Sequence, residues 1–302
     1  MRRGLVVAVA AGVLAAGAGV VAWTAMGGSE DGSCPSATLP EAPSATGGLA
    51  AAPSAADAEA AGPTPYEVEV LARYPHDPAA FTQGLLVRDG VVYEGTGLYG
   101  ESEARAVDLA SGEVLASEPL PDEVFGEGLA LHDDRLYQLS WQQQEGWTRD
   151  PCSLEVLDTF RYEGEGWGLA SDGEVLWRSD GTSTLTAHDP ETFAVVRTVE
   201  VLDRGVPVES LNELEVVGDE VLANVWLTDG VVRIDPATGV VTGWIDASVL
   251  TEEVSPEGGD DVLNGIAATS DGERVWLTGK RWPTVFEVRV TPGGELPPPG
   301  GG

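Results

Sequence analysis

The chain has 302 residues and carries 50 Asp and Glu against 16 Lys and Arg, a formal net charge of −34. A charge this negative argues against nucleic acid and anionic membrane surfaces as partners of the folded part. The acidic residues are scattered rather than clustered, which indicates a strongly solvated surface rather than a specific cation site.

Residues 1–26 predict an export segment. Arg2 and Arg3 precede an uncharged apolar run of 23 residues, from Gly4 to Met26. Because this run could span a bilayer if it is not cleaved, a signal peptide and an N-terminal membrane anchor both stay open. In either case we expect the rest of the chain outside the cytoplasm, secreted or anchored to the outer face of the cytoplasmic membrane.

Two low-complexity segments flank the part predicted to fold. Residues 27–65 are rich in Ala, Pro, Gly and Ser and contain no aromatic residue, so they predict a disordered linker. Residues 291–302, which end in three prolines and three glycines, predict a disordered tail. We therefore expect one folded domain over residues 66–290.

The two cysteines do not imply a disulfide framework. Cys34 lies in the predicted linker and Cys152 in the predicted folded part. A single bridge between them is permitted outside the cell, and the sequence leaves their pairing open.

The folded part contains an internal repeat. Five segments share a polar or aromatic residue, then a small or acidic one, then an aliphatic one, and they begin 44, 40, 45 and 52 residues apart. They are Gln83-Gly84-Leu85, Glu127-Gly128-Leu129, Trp167-Gly168-Leu169, Asn212-Glu213-Leu214 and Asn264-Gly265-Ile266. A period in the forties with strands between its copies is typical of four-stranded β-propeller blades.

Alternation of apolar and polar residues predicts strands within each repeat. In the fourth repeat the predicted strands lie at 214–217, 221–225, 231–235 and 240–245. The fifth repeat is one strand short, and residues 66–73 could supply that outer strand. We therefore predict an all-β fold, a five-bladed β-propeller of four-stranded blades closed by an N-terminal strand, which would leave no open sheet edge.

The first strands of propeller blades line the central channel, so the five repeated segments should meet at one mouth of it. Their first residues are Gln83, Glu127, Trp167, Asn212 and Asn264. These residues differ from one repeat to the next and are mostly polar, which indicates a binding site built on the repeat. The alternative is that they only hydrogen-bond channel water or neighbouring loops.

Glu127 is the sharpest candidate for a catalytic residue. It lies between Gly126 and Gly128, directly after Phe125. A carboxyl group in a partly apolar pocket has its charged form disfavoured, which suits proton transfer near neutrality. The alternative is a purely structural ion pair with Lys280.

Lys280 and a set of aromatic residues complete the candidate site. Lys280 follows the predicted inner strand of the last blade and could polarise a carbonyl oxygen or anchor an acid; the alternative is a surface lysine that balances local acids. Aromatic residues recur near the predicted blade starts and could form a cup that excludes water, although core packing is an equal alternative for Trp226. They are Phe81, Phe125, Trp141, Trp167 and Trp226.

No metal-ligand spacing is present in the sequence. The three histidines, His76, His132 and His188, lie in different repeats, and the turn contexts of His132 and His188 predict exposed side chains. We therefore expect no transition-metal site, while a calcium or magnesium ion held by channel oxygens stays open.

Ordered motifs from about residue 66 to residue 290 carry a family resemblance. They are Tyr74-Pro75-His76-Asp77, Phe81-Thr82-Gln83-Gly84-Leu85, Phe125-Gly126-Glu127-Gly128-Leu129, Gln138-Leu139-Ser140-Trp141, Gly166-Trp167-Gly168-Leu169, Leu211-Asn212-Glu213-Leu214-Glu215, Asn224-Val225-Trp226, Leu263-Asn264-Gly265-Ile266-Ala267 and Thr278-Gly279-Lys280. Together they resemble the plant and bacterial type of glutaminyl-peptide cyclotransferase. The resemblance implies a five-bladed propeller that is unrelated to the zinc-dependent animal enzymes.

The resemblance also implies roles for individual residues. Glu127 would shuttle a proton from the substrate α-amine to the leaving amide nitrogen. Lys280 would assist at the developing oxyanion or fix the Glu127 carboxylate. Gln83 and Asn212 would hold the glutamine side chain, with Asn264 as a further substrate-binding residue. The five aromatic residues would wall the pocket.

The expected function is therefore conversion of N-terminal glutamine in peptides or proteins to pyroglutamate, with release of ammonia. We expect no required cofactor, a monomer, and membrane contact only through an uncleaved N-terminal segment. Two alternatives stay open: a metal-dependent, lactonase-like propeller hydrolase and a non-catalytic exported binding propeller.

Overall fold

The structure, a computed structural model, describes residues 34–43 and 48–301. The predicted export segment at residues 1–26 lies outside these residues. In the described part, strands make up nearly all of the regular structure, as expected for an all-β fold. None of the helices in these residues has the length and hydrophobicity needed to cross a membrane.

Three antiparallel sheets each take four consecutive strands, and chain neighbours are also sheet neighbours. The first sheet has β2 (Thr82–Arg88), β3 (Val91–Thr96), β4 (Glu103–Asp108) and β5 (Val114–Pro119). The second has β6 (Gly126–His132), β7 (Arg135–Ser140), β8 (Glu145–Arg149) and β9 (Val156–Arg161). The third has β10 (Leu169–Ser171), β11 (Leu176–Arg178), β12 (Thr184–His188) and β13 (Val195–Glu200).

A fourth sheet has eight strands. In sheet order they are β16 (Leu211–Val217), β17 (Glu220–Val225), β18 (Gly230–Ile234), β19 (Val241–Asp246), β1 (Thr64–Pro75), β22 (Thr284–Pro292), β21 (Val275–Gly279) and β20 (Leu263–Ala268). The N-terminal β1 pairs antiparallel with β22 along most of its length and parallel with β19 only through Thr64–Glu67. The remaining elements are a two-stranded sheet and two short helices: β14 (Leu202–Asp203), β15 (Val206–Pro207), α1 (Ala55–Ala61) and α2 (Ser248–Val254).

The first strands of the repeats contact one another in a closed cycle, in the order β2, β6, β10, β16, β20 and back to β2. The glycines of the repeated segments make this close approach feasible. A Cβ atom on Gly84 would lie 2.3 Å from the backbone nitrogen of Leu129, and one on Gly128 would lie 2.5 Å from that of Leu169. Because real Cβ atoms do not approach so closely, the repeated glycine is a packing requirement of the cycle.

Register shifts recur near the start of four of these first strands. They fall between Thr82 and Gly84, Gly126 and Leu129, Leu211 and Leu214, and Leu263 and Ile266. Each shift takes in the first residue of a repeated segment, so that residue leaves the regular ladder. Bulges of this kind re-aim side chains and are common beside functional sites.

The described part of the segment predicted as a disordered linker forms a helix and contacts the sheets. Residues 55–61 form α1, capped by the Ser54 hydroxyl, which accepts from the Asp57 backbone N–H at 3.2 Å. Arginines of the sheets donate to backbone carbonyls of this segment, Arg274 to Pro40 at 2.8 Å and Arg233 to Ala50 at 2.7 Å. Leu39 and Leu49 of the same segment also pack against buried clusters of the sheets.

The predicted tail also makes contacts with the sheets in the described residues. Strand β22 continues to Pro292, and the Arg204 side chain donates to the Pro297 carbonyl at 2.8 Å. Leu296 packs against a buried cluster that includes Trp244. A carbonyl acceptor and one leucine therefore hold a segment that its proline and glycine content predicted to be disordered.

The exposure predicted for two histidines is wrong. His132 and His188 end β6 and β12 and are 8% and 1% exposed. His188 stacks on Phe193 with ring centroids 4.3 Å apart, and burial lowers its pKa to about 4. The turns follow these residues, so the side chains still belong to the buried faces of the strands.

Cys34 and Cys152 form a disulfide that joins residues 118 apart in the sequence. The bridge attaches the N-terminal segment to the loop between β8 and β9, and it is consistent with a location outside the cytoplasm.

Removal of this disulfide is expected to destabilise the protein. Cys152→Ser should lower the free energy of unfolding by about 2–5 kcal/mol, because the bridge closes a long loop in the unfolded chain. Urea denaturation of Cys152→Ser, Cys34→Ser and the double variant measures the effect. The three variants should lose the same free energy of unfolding, because each of them breaks the same bond. An unchanged unfolding midpoint in all three would contradict a stabilising bridge.

Candidate active site

The structure brings most of the predicted site residues to one cavity of about 370 Å³. Nine of the ten line it: Phe81, Gln83, Phe125, Glu127, Trp141, Trp167, Asn212, Trp226 and Lys280. Asn264, the tenth, is not among the lining residues. Its buried side-chain amide donates to the Thr82 carbonyl at 2.9 Å and to Gln83 Oε1 at 3.3 Å, so it orients Gln83.

The backbone on both sides of Glu127 is pinned by hydrogen bonds. The Gly126 N–H donates to the Ser102 hydroxyl at 2.9 Å, and the Gly128 N–H donates to the Trp167 carbonyl at 2.7 Å. Because Glu127 lies in the bulge of β6, its side chain is aimed into the cavity rather than along the ladder.

The Glu127 carboxyl group is buried, with only 4% of the residue exposed. Burial raises its pKa well above the usual range, and the negative charge of Glu165 adds to the rise. The charge of Lys280 and a hydrogen bond with the Gln83 side chain act in the opposite direction without cancelling it. A group of this kind can exchange a proton near neutral pH.

Lys280 is buried as well, which rules out the alternative of a surface lysine. Burial lowers its pKa to about 8, against the opposing charges of Glu127 and Asp260. Its Nζ lies 4.8 Å from the centroid of the Phe81 ring. Lys280 is the only lysine in the sequence. A buried lysine can titrate near neutral pH, whereas an arginine at the same place would keep its proton.

Edge-to-face aromatic pairs form the wall of the cavity. The ring centroid of Phe125 lies 6.0 Å from that of Phe81 and 5.7 Å from that of Trp141. The ring centroids of Trp167 and Trp226 are 5.5 Å apart. All five rings line the cavity, so Trp226 is a wall residue rather than only a core residue. Such a wall limits the access of water to the reacting atoms.

Asn212 Oδ1 is buried and has no hydrogen-bond partner within the described part of the chain. Buried polar atoms are normally paired, and an unpaired one on a cavity wall is available to a ligand. A ligand N–H group that reaches Asn212 would therefore satisfy it.

Sequence reasoning missed four residues of the site. Leu98, Asp260 and Arg281 line the cavity, and Glu165 hydrogen-bonds two of its tryptophans. Leu98, Asp260 and Glu165 lie in loops outside the repeated segments, and Arg281 follows Lys280 directly, so the repeat gave no signal for them.

In residues 34–43 and 48–301, no three His, Cys, Asp or Glu side chains are grouped in a way that could hold a metal ion.

Comparison with known proteins gives a consistent family. The family model described as "Glutamine cyclotransferase" matches residues 44–290. The chain is 46% identical to a glutaminyl-peptide cyclotransferase of Arabidopsis thaliana over 225 residues, which cover 73% of this chain and 70% of the relative. It also resembles the crystal structure of Myxococcus xanthus glutaminyl cyclase, with a TM-score of 0.73 and 41% identity over 77% of this chain and all of that one.

Proposed function

The chain belongs to the glutamine cyclotransferase family, and we propose that Glu127 moves one proton while N-terminal glutamine closes to pyroglutamate in the cavity. The activity is that of a glutaminyl-peptide cyclotransferase, an acyltransferase that acts on peptides or proteins and releases ammonia. The observation that carries the mechanism is the buried Glu127 carboxyl group with a raised pKa, which lines the same cavity as Gln83 and Asn212.

In the first step the neutral α-amine attacks the γ-carboxamide carbon of the same residue. The new C–N bond closes a five-membered ring, and the carbonyl electron pair moves onto oxygen. The Glu127 carboxylate accepts the proton that the α-nitrogen loses. The Lys280 ammonium stabilises the oxyanion that develops, as a cation does best in a site from which water is excluded.

In the second step the tetrahedral intermediate collapses. The oxyanion restores the carbonyl, the bond to the original amide nitrogen breaks, and Glu127 returns the same proton to that nitrogen. Ammonia leaves, and Glu127 is again a carboxylate. Because one group accepts and then donates, its pKa must lie closer to neutrality than that of an ordinary glutamate.

Positioning supplies much of the remaining acceleration, since both reacting groups are in one molecule. Gln83 and Asn212 would hold the substrate carboxamide, and its N–H would reach the unpaired Asn212 Oδ1. The aromatic wall would press the side chain into a bent conformer and keep water away from the carbonyl carbon. Asn264 would contribute by fixing Gln83.

We further propose that the fold is a five-bladed propeller whose last blade is β20, β21, β22 and β1. The closed cycle of five first strands supports the blade count, and the long antiparallel pairing of β1 with β22 supports closure by the N-terminal strand. The short parallel contact of β1 with β19 would be the seam between the fourth and fifth blades.

The reaction as proposed needs no cofactor, because every proton and charge in it is handled by Glu127, Lys280 and the substrate. We propose that the protein works as a monomer outside the cytoplasm, secreted or anchored through its N-terminal apolar segment. The disulfide supports that location.

A direct test is to incubate the purified protein with a peptide that begins with glutamine and to follow the loss of ammonia by mass. Matched control peptides begin with N-acetylglutamine, which has no free amine, or with asparagine, which cannot close a five-membered ring in this way. Turnover of the first peptide alone is expected, and a chelator should leave it unchanged. Turnover lost with chelator would favour a metal-dependent hydrolase, and no turnover at all would favour a binding protein.

A further inference from the structure

One carboxylate oxygen of Glu165 accepts hydrogen bonds from two tryptophans that line the cavity. Trp141 Nε1 donates to Glu165 Oε2 at 2.7 Å, and Trp167 Nε1 donates to the same oxygen at 3.0 Å. Gln142 Nε2 donates to the other oxygen at 3.0 Å. Both indoles belong to the cavity lining, so a group outside the repeated segments holds two of its five aromatic rings.

The two tryptophans come from different sheets. Trp141 follows β7 of the second sheet, and Trp167 precedes β10 of the third. Neither ring is fully buried, so packing alone leaves each some freedom to turn. Hydrogen bonds to a charged acceptor are stronger than neutral ones, and a shared acceptor fixes the two rings relative to each other.

We propose that Glu165 is a positioning residue for the cyclisation, one that sets the orientation of the Trp141 and Trp167 rings against the bound glutamine side chain. This inference rests on the proposed function. Glu165 itself need not touch the reacting atoms, because both of its oxygens are already occupied by protein donors.

The charge of Glu165 has a second consequence, at Glu127. Burial acts to raise the pKa of Glu165, but the hydrogen bonds from Trp167, Gln142 and Trp141 outweigh it and hold the pKa below the usual range. Glu165 therefore stays negative where Glu127 titrates, and its charge raises the pKa of Glu127. The other charged groups on the cavity wall are Lys280, Asp260 and Arg281, and of these Lys280 lowers the pKa of Glu127.

The backbone around Glu165 does not depend on its side chain. The Arg178 guanidinium donates to the Glu165 carbonyl, and the Gly166 N–H donates to the Trp141 carbonyl at 2.9 Å. Truncation of the side chain should therefore release the indoles without releasing the loop, which makes the proposal testable by substitution.

Two substitutions separate the roles of the carboxylate. Glu165→Ala removes both the acceptor and the charge, whereas Glu165→Gln removes the charge and keeps one oxygen that can accept from an indole. Glu163→Ala and Glu163→Gln are matched controls, because Glu163 is an exposed glutamate two residues away whose side chain makes no contact with the site.

Glu165→Ala is expected to raise KM by about 10-fold to 100-fold, the range for lost hydrogen bonds to a charged group, with a smaller fall in kcat. Glu165→Gln should raise KM less. It should also shift the acidic limb of kcat/KM to lower pH, because activity requires the Glu127 carboxylate and the loss of a nearby negative charge lowers the pKa of Glu127.

An indole N–H spectrum of protein labelled with ¹⁵N-tryptophan gives a readout that does not need turnover. The Trp141 and Trp167 resonances, assigned with Trp141→Phe and Trp167→Phe, should move in Glu165→Ala and stay in place in Glu163→Ala. Unmoved resonances, or KM and pH profiles of both Glu165 variants equal to those of the controls, would overturn the proposal. Moved resonances in a protein that turns over no glutaminyl peptide would instead count against the proposed function.

Discussion

Replacing Glu127 by glutamine is expected to lower kcat by about 100-fold to 10,000-fold, the range for loss of a positioned general acid–base group. The amide of glutamine cannot accept the α-amine proton and return it to the leaving nitrogen. KM should change little, because the substitution keeps the size of the side chain and its capacity to hydrogen-bond Gln83. Ammonia release, corrected for spontaneous cyclisation, measures the effect.

A control variant for this result is Glu113→Gln, which makes the same chemical change at an exposed turn before β5. It should retain wild-type kcat and KM. Circular dichroism of the Glu127 variant should match that of the wild type, because a buried amide packs as the carboxyl does. Turnover of Glu127→Gln within about threefold of wild type, where a general acid–base group should matter far more, would remove Glu127 from the mechanism.

The Lys280→Met variant is expected to lose about 100-fold to 1,000-fold in kcat, as for removal of one group that stabilises an oxyanion. The pH profile should change at both ends. Wild-type activity should fall as pH rises through the Lys280 pKa of about 8, since only the ammonium form stabilises the oxyanion, and the variant should lack this limb. Its acidic limb should move to higher pH, because Lys280 lowers the pKa of Glu127.

Arg289→Met is the matched control, since it also removes one positive charge but lies on β22 outside the cavity, paired with Glu69. It should retain both limbs of the wild-type profile. The substrate α-amine attacks in its neutral form, so every variant should also lose activity as pH falls through the pKa of that amine. This limb is common to all variants and provides an internal reference. An unchanged alkaline limb in Lys280→Met would contradict the role given to the ammonium group.

The repeated segments are the part of the fold and site that the sequence predicted best. A period in the forties predicted where the first strands begin, and these strands contact one another in a closed cycle, which brings equivalent positions close together. Gln83, Glu127 and Asn212 therefore met at one cavity, as expected. The bulges that aim them were not predicted, although an isolated glycine within a strand pattern, as at Gly84, Gly128 and Gly265, is a sequence signal for a bulge.

The sequence analysis did not predict residues that lie in loops or contacts that are made to backbone groups. Glu165 became significant only when two tryptophans from different sheets were brought to the same carboxylate. The side-chain N–H groups of Asn264 donate to Thr82 and Gln83, and its role in substrate binding stays a prediction. The described residues 34–43 and 48–65 are held by backbone carbonyl acceptors and by a few apolar side chains, Leu39 and Leu49 among them, that pack against buried clusters of the sheets. Every residue type supplies a carbonyl acceptor, so composition cannot reveal these contacts.

A crystal structure of the Glu127→Gln variant with an uncyclised glutaminyl peptide would show how the substrate lies relative to position 127. We expect the substrate side chain inside the aromatic wall, with its carboxamide on Gln83 and Asn212 and with the α-nitrogen within hydrogen-bond reach of the side chain at position 127. A peptide bound elsewhere, or a glutamine whose α-nitrogen faces away from position 127, would contradict it.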